Sequence, residues 1–373
     1  MDNPVEDCEM QSENTITFDT PKLNTEEEAE IEIDCDPDDE PTVSNPVLDF
    51  RHSKIKTLLE VSGPNFLREM YGGWNLIKKI ENLLNYPELV MLELSDNQLA
   101  TIENLDALTN LESLDLSFNR LESISGLNSL TKLKKLYLNG NKISKIENLS
   151  NLTALEMLEL GDNKIRHIEN LEGLNVLTEL FLGKNKIGKI QNIGHLVSLR
   201  LLSLQGNRIL RIENLSTLIN LKELYVSENG ITRIDGLESL MGLNLLDVSH
   251  NKITQLENIE HLTLLKELWL NNNNLHTGTN FHILDSLKEL RYLYILGNPL
   301  EERSDFRMRL QCALPWLVEI DGFHCSSSFL RSIGSNGSVV GQGKGRSSSN
   351  SKGCTSDPAR SSNHRVDHQV DSV

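Results

Sequence analysis

The sequence predicts an α/β solenoid of stacked 22-residue units, each giving one short strand to a parallel sheet. Three observations carry that prediction. Asparagine returns at a constant interval of 22 from Asn75 through Asn97, Asn119, Asn141 and onward to Asn273. The repeats after the first carry LxLxxN or its valine form, as in Leu114-Asp115-Leu116-Ser117-Phe118-Asn119. A second ladder keeps the same period through Ile80, Ile102, Ile124, Ile146, Ile168, Ile190, Ile212, Ile234 and Leu256. A unit of this size cannot bury its apolar face alone, so neighbours must stack.

The pattern is the leucine-rich-repeat signature, and it predicts a horseshoe with parallel strands on the concave face. Residues 1–48 precede it. Residues 1–50 hold 17 Asp or Glu against one Lys, a net −16 of the chain's −18, so the acidity belongs to an arm. Such a segment buries too little apolar surface to offset chain entropy, and it is expected to be disordered. Residues 49–74 read as a degenerate first repeat or cap. Gly72 stands where the second strand leucine is due, and Met70-Tyr71-Gly72-Gly73-Trp74 makes a poor strand. Residues 75–300 form the solenoid proper. Its final interval, Asn273 to Asn298, is 25, so the last repeat is longer by three. Residues 301–325 follow as a C-terminal cap, with Phe306, Met308, Leu310, Leu314 and Leu317 on a short amphipathic helix over the open end of the core. Residues 326–373 are rich in Ser and Gly and are expected to be a flexible tail.

Composition narrows the function. The five cysteines are scattered, without the paired clusters of secreted repeat proteins. Met1-Asp2-Asn3-Pro4-Val5-Glu6-Asp7 has no apolar core for a signal peptide, and no apolar run is long enough to span a bilayer. A soluble protein of the nucleus and cytoplasm is expected. The histidines show neither HExxH nor Cys/His metal spacing, so no metal or cofactor is expected. Carboxylates spread over a flat face do not form an acid/base pair, and the glycine-rich run at 341–345 lacks the context of a phosphate loop. An acidic arm and an acidic face oppose nucleic acid. The chain is read as a non-enzyme with no small-molecule substrate.

The ladder asparagines are expected to satisfy backbone groups at a fixed turn. Functional information should instead lie at the outward strand positions, since alternate residues face opposite sides. One row runs Glu93, Asp115, Tyr137, Glu159, Phe181, Ser203, Tyr225, Asp247, Trp269 and Tyr294, and an adjacent row includes Met91, Lys135, Met157, Glu179, Glu223, Glu267 and Tyr292. Aromatic side chains aligned on one face are the usual anchors of protein interfaces, and the carboxylates beside them select a partner with Lys or Arg. Phe181 and Trp269 are expected to be exposed there.

The gapless unit IxxIENLxxLxxLxxLxLxxN, Lys142-Ile143-Ser144-Lys145-Ile146-Glu147-Asn148-Leu149, Leu180-Phe181-Leu182-Gly183-Lys184-Asn185, and the NPL…LPxLxxID ending together resemble the leucine-rich-repeat regulatory subunits of protein phosphatase 1, of the regulatory subunit 7 type. The resemblance covers roughly residues 75–321. It implies a non-catalytic subunit that binds the phosphatase catalytic subunit through the concave face. The matching contact positions are Asp115, Tyr137, Glu159, Phe181, Asp247, Glu267, Trp269 and Tyr294. The repeat unit by itself is shared with cytoskeletal and ciliary scaffolds, which stand as the alternative. The chain departs from the resemblance in its first repeat, in Gly322-Phe323-His324-Cys325 after the cap, and in its Ser/Gly tail.

Overall fold

The computed structural model describes residues 15–17, 47–58, 66–276, 278–302 and 306–325. The strands form one sheet in which spatial order equals chain order. They are β1 (Thr15–Thr17), β2 (Val47–Asp49), β3 (Glu69–Tyr71), β4 (Met91–Glu93), β5 (Ser113–Asp115), β6 (Lys135–Tyr137), β7 (Met157–Glu159) and β8 (Glu179–Phe181). They continue with β9 (Leu201–Ser203), β10 (Glu223–Tyr225), β11 (Leu245–Asp247), β12 (Glu267–Trp269), β13 (Tyr292–Tyr294), β14 (Glu319–Ile320) and β15 (Phe323–His324). Neighbours pair in parallel up to β14, and only β15 turns back antiparallel. The fold is a leucine-rich-repeat horseshoe, as the periodicity predicts.

Each of the three-residue strands from β2 to β13 buries its central residue and turns the two flanking ones to the sheet face, as in β7, where Leu158 is buried between Met157 and Glu159. The return segments are successive turns rather than long helices. Leu152 N–H donates to Leu149 O and Leu155 N–H to Leu152 O, both at 3.0 Å. Turns closing every third residue bring Leu149, Leu152 and Leu155 inward, where they are fully buried beside Leu158 and Leu160. The sequence spacing of three, then two, is thus the switch from turns to strand. The core is one continuous apolar column from Leu48 to Ile320.

The asparagine ladder does what its spacing predicts. Asn163 Oδ1 accepts Ile143 N–H at 2.9 Å, while its Nδ2 donates to Leu138 O at 2.9 Å, Leu160 O at 3.1 Å and Gly161 O at 3.1 Å. The same set recurs at Asn97, Asn119, Asn185, Asn251 and the other ladder positions. A second asparagine ladder accompanies it. Asn148, in the Glu-Asn-Leu step, has φ 58° and donates to Ile124 O at 2.6 Å. Asn82, Asn104, Asn170, Asn192, Asn214 and Asn258 act alike toward the preceding turn. Gly126 and Gly236 fill the position in the two repeats without it, also at positive φ.

The amino-terminal reading needs correction. The boundary between arm and solenoid at residue 48 falls inside a strand, because β2 already occupies Val47–Asp49 in register with β3. The supposedly poor strand around Met70 is β3, paired on both sides. Its missing leucine is replaced from the neighbouring turn: a Cβ on Gly72 would lie 2.5 Å from the Phe50 ring, which fills the space and is itself buried. Asn75 then makes the full ladder set, to Phe50 O, Gly72 O and Gly73 O. Apart from β1, which pairs with β2, and Val47 and Leu48 of β2 itself, the arm lies outside the described residues, as does the Ser/Gly tail.

At the other end, the three extra residues of the long repeat are absorbed by a 3-10 helix, Phe281–Ser286, begun by Asn280, whose side chain accepts His282 N–H. Helix α1 (Phe306–Ala313) then places Leu310 over the core, and Leu314, Leu317 and Ile320 complete the cover. Asp321 closes the ladder. Its Oδ1 accepts Ile295 N–H at 2.6 Å and Leu296 N–H at 2.9 Å.

Candidate protein-binding face

The strand register lines up one outward row without a break. Asp49 pairs with Tyr71, Tyr71 with Glu93, and the rungs continue through Asp115, Tyr137, Glu159, Phe181, Ser203, Tyr225, Asp247 and Trp269 to Tyr294. At about 4.8 Å per strand the row extends for roughly 50 Å. Of the eight sequence-chosen positions, seven stand on it: Asp115, Tyr137, Glu159, Phe181, Asp247, Trp269 and Tyr294. Glu267 stands one pleat away, between Leu245 and Tyr292. The row also takes in Asp49 and Tyr71, which the sequence reading left out. Counting back 22 from Glu93 reaches both.

Phe181 and Trp269 are half-buried, not exposed, which corrects the expectation of bare aromatic anchors. Rungs this close let adjacent side chains shield each other. Trp269 meets Tyr294 edge to face at 5.1 Å between centroids. Asp247 is buried outright.

The polar groups of the face are held by the chain itself. Asp115 Oδ1 accepts both the N–H and the hydroxyl of Ser117, at 2.8 and 2.6 Å, and Asp247 is held in the same way by Ser249. Glu159 Oε1 accepts Gly161 N–H at 2.6 Å. Tyrosine hydroxyls donate sideways to the adjacent row: Tyr71 to Glu69 and Tyr225 to Glu223, both at 2.8 Å, and Tyr294 to Glu319 at 3.0 Å. The side chains are therefore positioned before any partner arrives.

Burial dominates the electrostatics. It pushes the Asp115 carboxyl up to about 6, against the pull of the Ser117 hydrogen bonds, and the Glu159 carboxyl up to about 7. It also raises the Tyr137 hydroxyl to about 12, with Asp115 and Glu179 adding to the effect. Asp115 and Glu159 flank Tyr137 on neighbouring rungs. Across β2 to β14 the outward strand positions hold ten carboxylates against the one ammonium of Lys135. Such a surface discriminates in favour of a cationic partner. On this face one buried donor is left over: Trp269 Nε1 has no hydrogen-bond partner.

Among the described residues no helix is long and apolar enough to cross a membrane, and no His, Cys, Asp or Glu group has the arrangement to hold a metal ion.

Two family descriptions match the chain. "Leucine Rich repeats (2 copies)" matches residues 87–129, 109–151 and 131–176, and "Leucine-rich repeat" matches residues 195–324. The chain is a leucine-rich-repeat protein. No curated protein matches it. Among solved structures, an internalin (InlF) from Listeria monocytogenes is similar at 26% identity and a TM-score of 0.67, over 74% of this chain and 79% of that one. A leucine-rich-repeat protein of Leptospira interrogans is similar at 26% identity and 0.62, over 74% and 83%. The complex of Latrophilin 3, Unc5D and the leucine-rich-repeat part of FLRT2 is similar at 25% identity and 0.59, over 66% and 79%. Solenoids of this class commonly bind other proteins along an extended face, and the fold is typically a non-catalytic scaffold.

Proposed function

We propose that this protein is a non-catalytic regulatory subunit that binds the catalytic subunit of protein phosphatase 1 through its sheet face, in the nucleus and cytoplasm. One observation carries the reading: a row unbroken in register and aromatic or acidic at every rung but Ser203, on which seven of the eight resemblance positions stand. Half-buried aromatics with fixed rotamers lose little entropy on binding, and the preset carboxylates favour a basic surface. Regulation of activity, maturation or targeting follows if the row binds one state of the phosphatase more tightly than another. Participation of a leucine-rich-repeat part in a multi-protein complex, as in the FLRT2 assembly, accords with this use of the fold.

The test is capture from cell lysate by the full chain, wild type against Phe181→Ala/Trp269→Ala, with bound proteins read by mass spectrometry. Phosphatase 1 recovered by the wild type and lost in the variant supports both partner and face. A cytoskeletal or ciliary protein captured instead, with no phosphatase, replaces the reading with the scaffold alternative. Equal recovery by both proteins moves the site off the row.

A further inference from the structure

Beside the sheet face, the residue before each ladder asparagine turns the chain at positive φ. In most repeats this rim position holds Gly or a small or flexible polar residue, Gly140, Asp162, Lys184, Gly206, Glu228, Asn272 and Gly297, and in one a histidine, His250, whose ring nitrogen is hydrogen-bonded to Asn272. Two repeats near the amino terminus place a large apolar aromatic there instead. Trp74 has φ 57° and Phe118 has φ 52°, in a region that bulky side chains rarely adopt. Both remain on the surface, 58% and 50% exposed, so neither repays its backbone cost with core burial. Between them stands Asp96, φ 50°. The three occupy successive rungs of one hydrogen-bonded ladder: Trp74 N–H donates to Ser95 O, Asp96 N–H to Ser117 O and Phe118 N–H to Asn139 O, at 2.8 to 3.0 Å.

The two rings lean apart. Trp74 stacks on His52 of the preceding turn, 5.4 Å between centroids. Phe118 lies over Gly140 of the following turn, where a Cβ would come within 2.5 Å of the ring. Asp96 is thereby left between two aromatic walls about 10 Å apart at their backbones, two strand spacings. The neighbouring outward residues are Glu93 and Asp115, both acidic. We propose that Trp74, Asp96 and Phe118 form a subsite for an arginine side chain presented by a partner protein. A guanidinium stacks on one aromatic face and takes a carboxylate in its plane, and here either ring can offer the face while Asp96 accepts from the N–H groups. The same chain shows that combination one turn away: Arg51 lies 5.0 Å over the Tyr71 ring while its Nε donates to Asp49 Oδ1 at 3.0 Å. At the slot, the carboxylate and the rings are present and the guanidinium is left for the partner to supply.

The probe is a short fluorescein-labelled peptide alternating Arg and Ser, titrated into the full chain at about 0.15 M salt, where charges more than about 8 Å apart are screened. Its control carries citrulline for arginine, which keeps the shape and removes the charge. The decisive variant is Trp74→Asn/Phe118→Asn, since Asn suits positive φ, as at Asn272. The expected result is at least about tenfold weaker binding by the variant, with its melting temperature equal to or above the wild type. A photoreactive form of the peptide should label residues around 74, 96 and 118. Equal affinity in the variant, equal binding of the citrulline peptide, or labelling confined to the acidic arm would overturn the proposal. Phe181→Ala/Trp269→Ala should keep peptide binding, so this inference and the phosphatase reading fail separately.

Discussion

Asn163 accepts the backbone N–H of Ile143, and in the same residue the amide nitrogen reaches back to Leu138 O, so one side chain joins two turns at 2.9 Å on each side. Replacing it with alanine strands a buried N–H and several carbonyls. Asn163→Ala should cost roughly 2–4 kcal/mol, given about 1–3 kcal/mol for a buried group left unsatisfied and the additional carbonyls. Chemical denaturation measures it; a loss below about 1 kcal/mol would mean that water replaces the side chain.

The second asparagine ladder separates two effects at one site. Asn148→Ala removes the bond to Ile124 O and places alanine at φ 58°, for an expected loss of about 2 kcal/mol. Asn148→Gly removes the bond but tolerates the backbone, and should lose about half as much. Equal losses in the two variants would show that the hydrogen bond alone matters.

Glu159 makes stability depend on pH. Burial raises its carboxyl from the usual 4.5 to about 7 in the folded protein. Between those values the folded state holds a proton that the unfolded state has released, so stability falls as pH rises and levels off above about 7. Glu159→Gln should remove that slope. Comparing urea midpoints of the two proteins from pH 5 to 8 checks it, and parallel curves would refute it.

The same shifts act on binding with the opposite consequence. Below pH 6 both Asp115 and Glu159 are largely protonated, and the face loses charge where it flanks Tyr137. Affinity for a basic partner should therefore drop as pH falls from 8 to 5.5. A Kd that is flat across this range would remove both carboxylates from the interface.

Trp269 carries a buried indole N–H with no acceptor while its ring packs against Tyr294. Trp269→Phe keeps one aromatic ring against Tyr294 and removes the orphan donor, so the smaller packing volume is offset by the relieved N–H and stability should change by less than about 1 kcal/mol. Trp269→Ala should lose roughly 2 kcal/mol of packing. Destabilisation by phenylalanine as large as by alanine would contradict this account.

Most of the solenoid was legible because its physics repeats. The period placed every strand from Met91 to Tyr294, the alternation placed the outward row, and Phe306 to Ile320 announced the cap. The failures lie where one repeat borrows from another. Gly72 looked like a lost leucine because its filler, Phe50, is 22 residues earlier and on a turn of its own. The Glu-Asn-Leu asparagines were visible as letters, yet their role depends on a positive φ that no single repeat reveals. Exposure of Phe181 and Trp269 was overestimated because shielding comes from neighbouring rungs, which an alternation rule does not count. Trp74 and Phe118 were passed over since the rim falls outside the strand pattern.

The bonds of the asparagine ladder have a direction. Asn163 reaches back to Leu138 and Ile143, in chain made before it, and Asn185 later reaches back in the same way to Leu160 and Ile165. During synthesis each emerging turn can thus lock its predecessor in place without waiting for distant chain. Assembly becomes a ratchet that advances with the ribosome, and Asp321, last in the series, is the pawl that stops it.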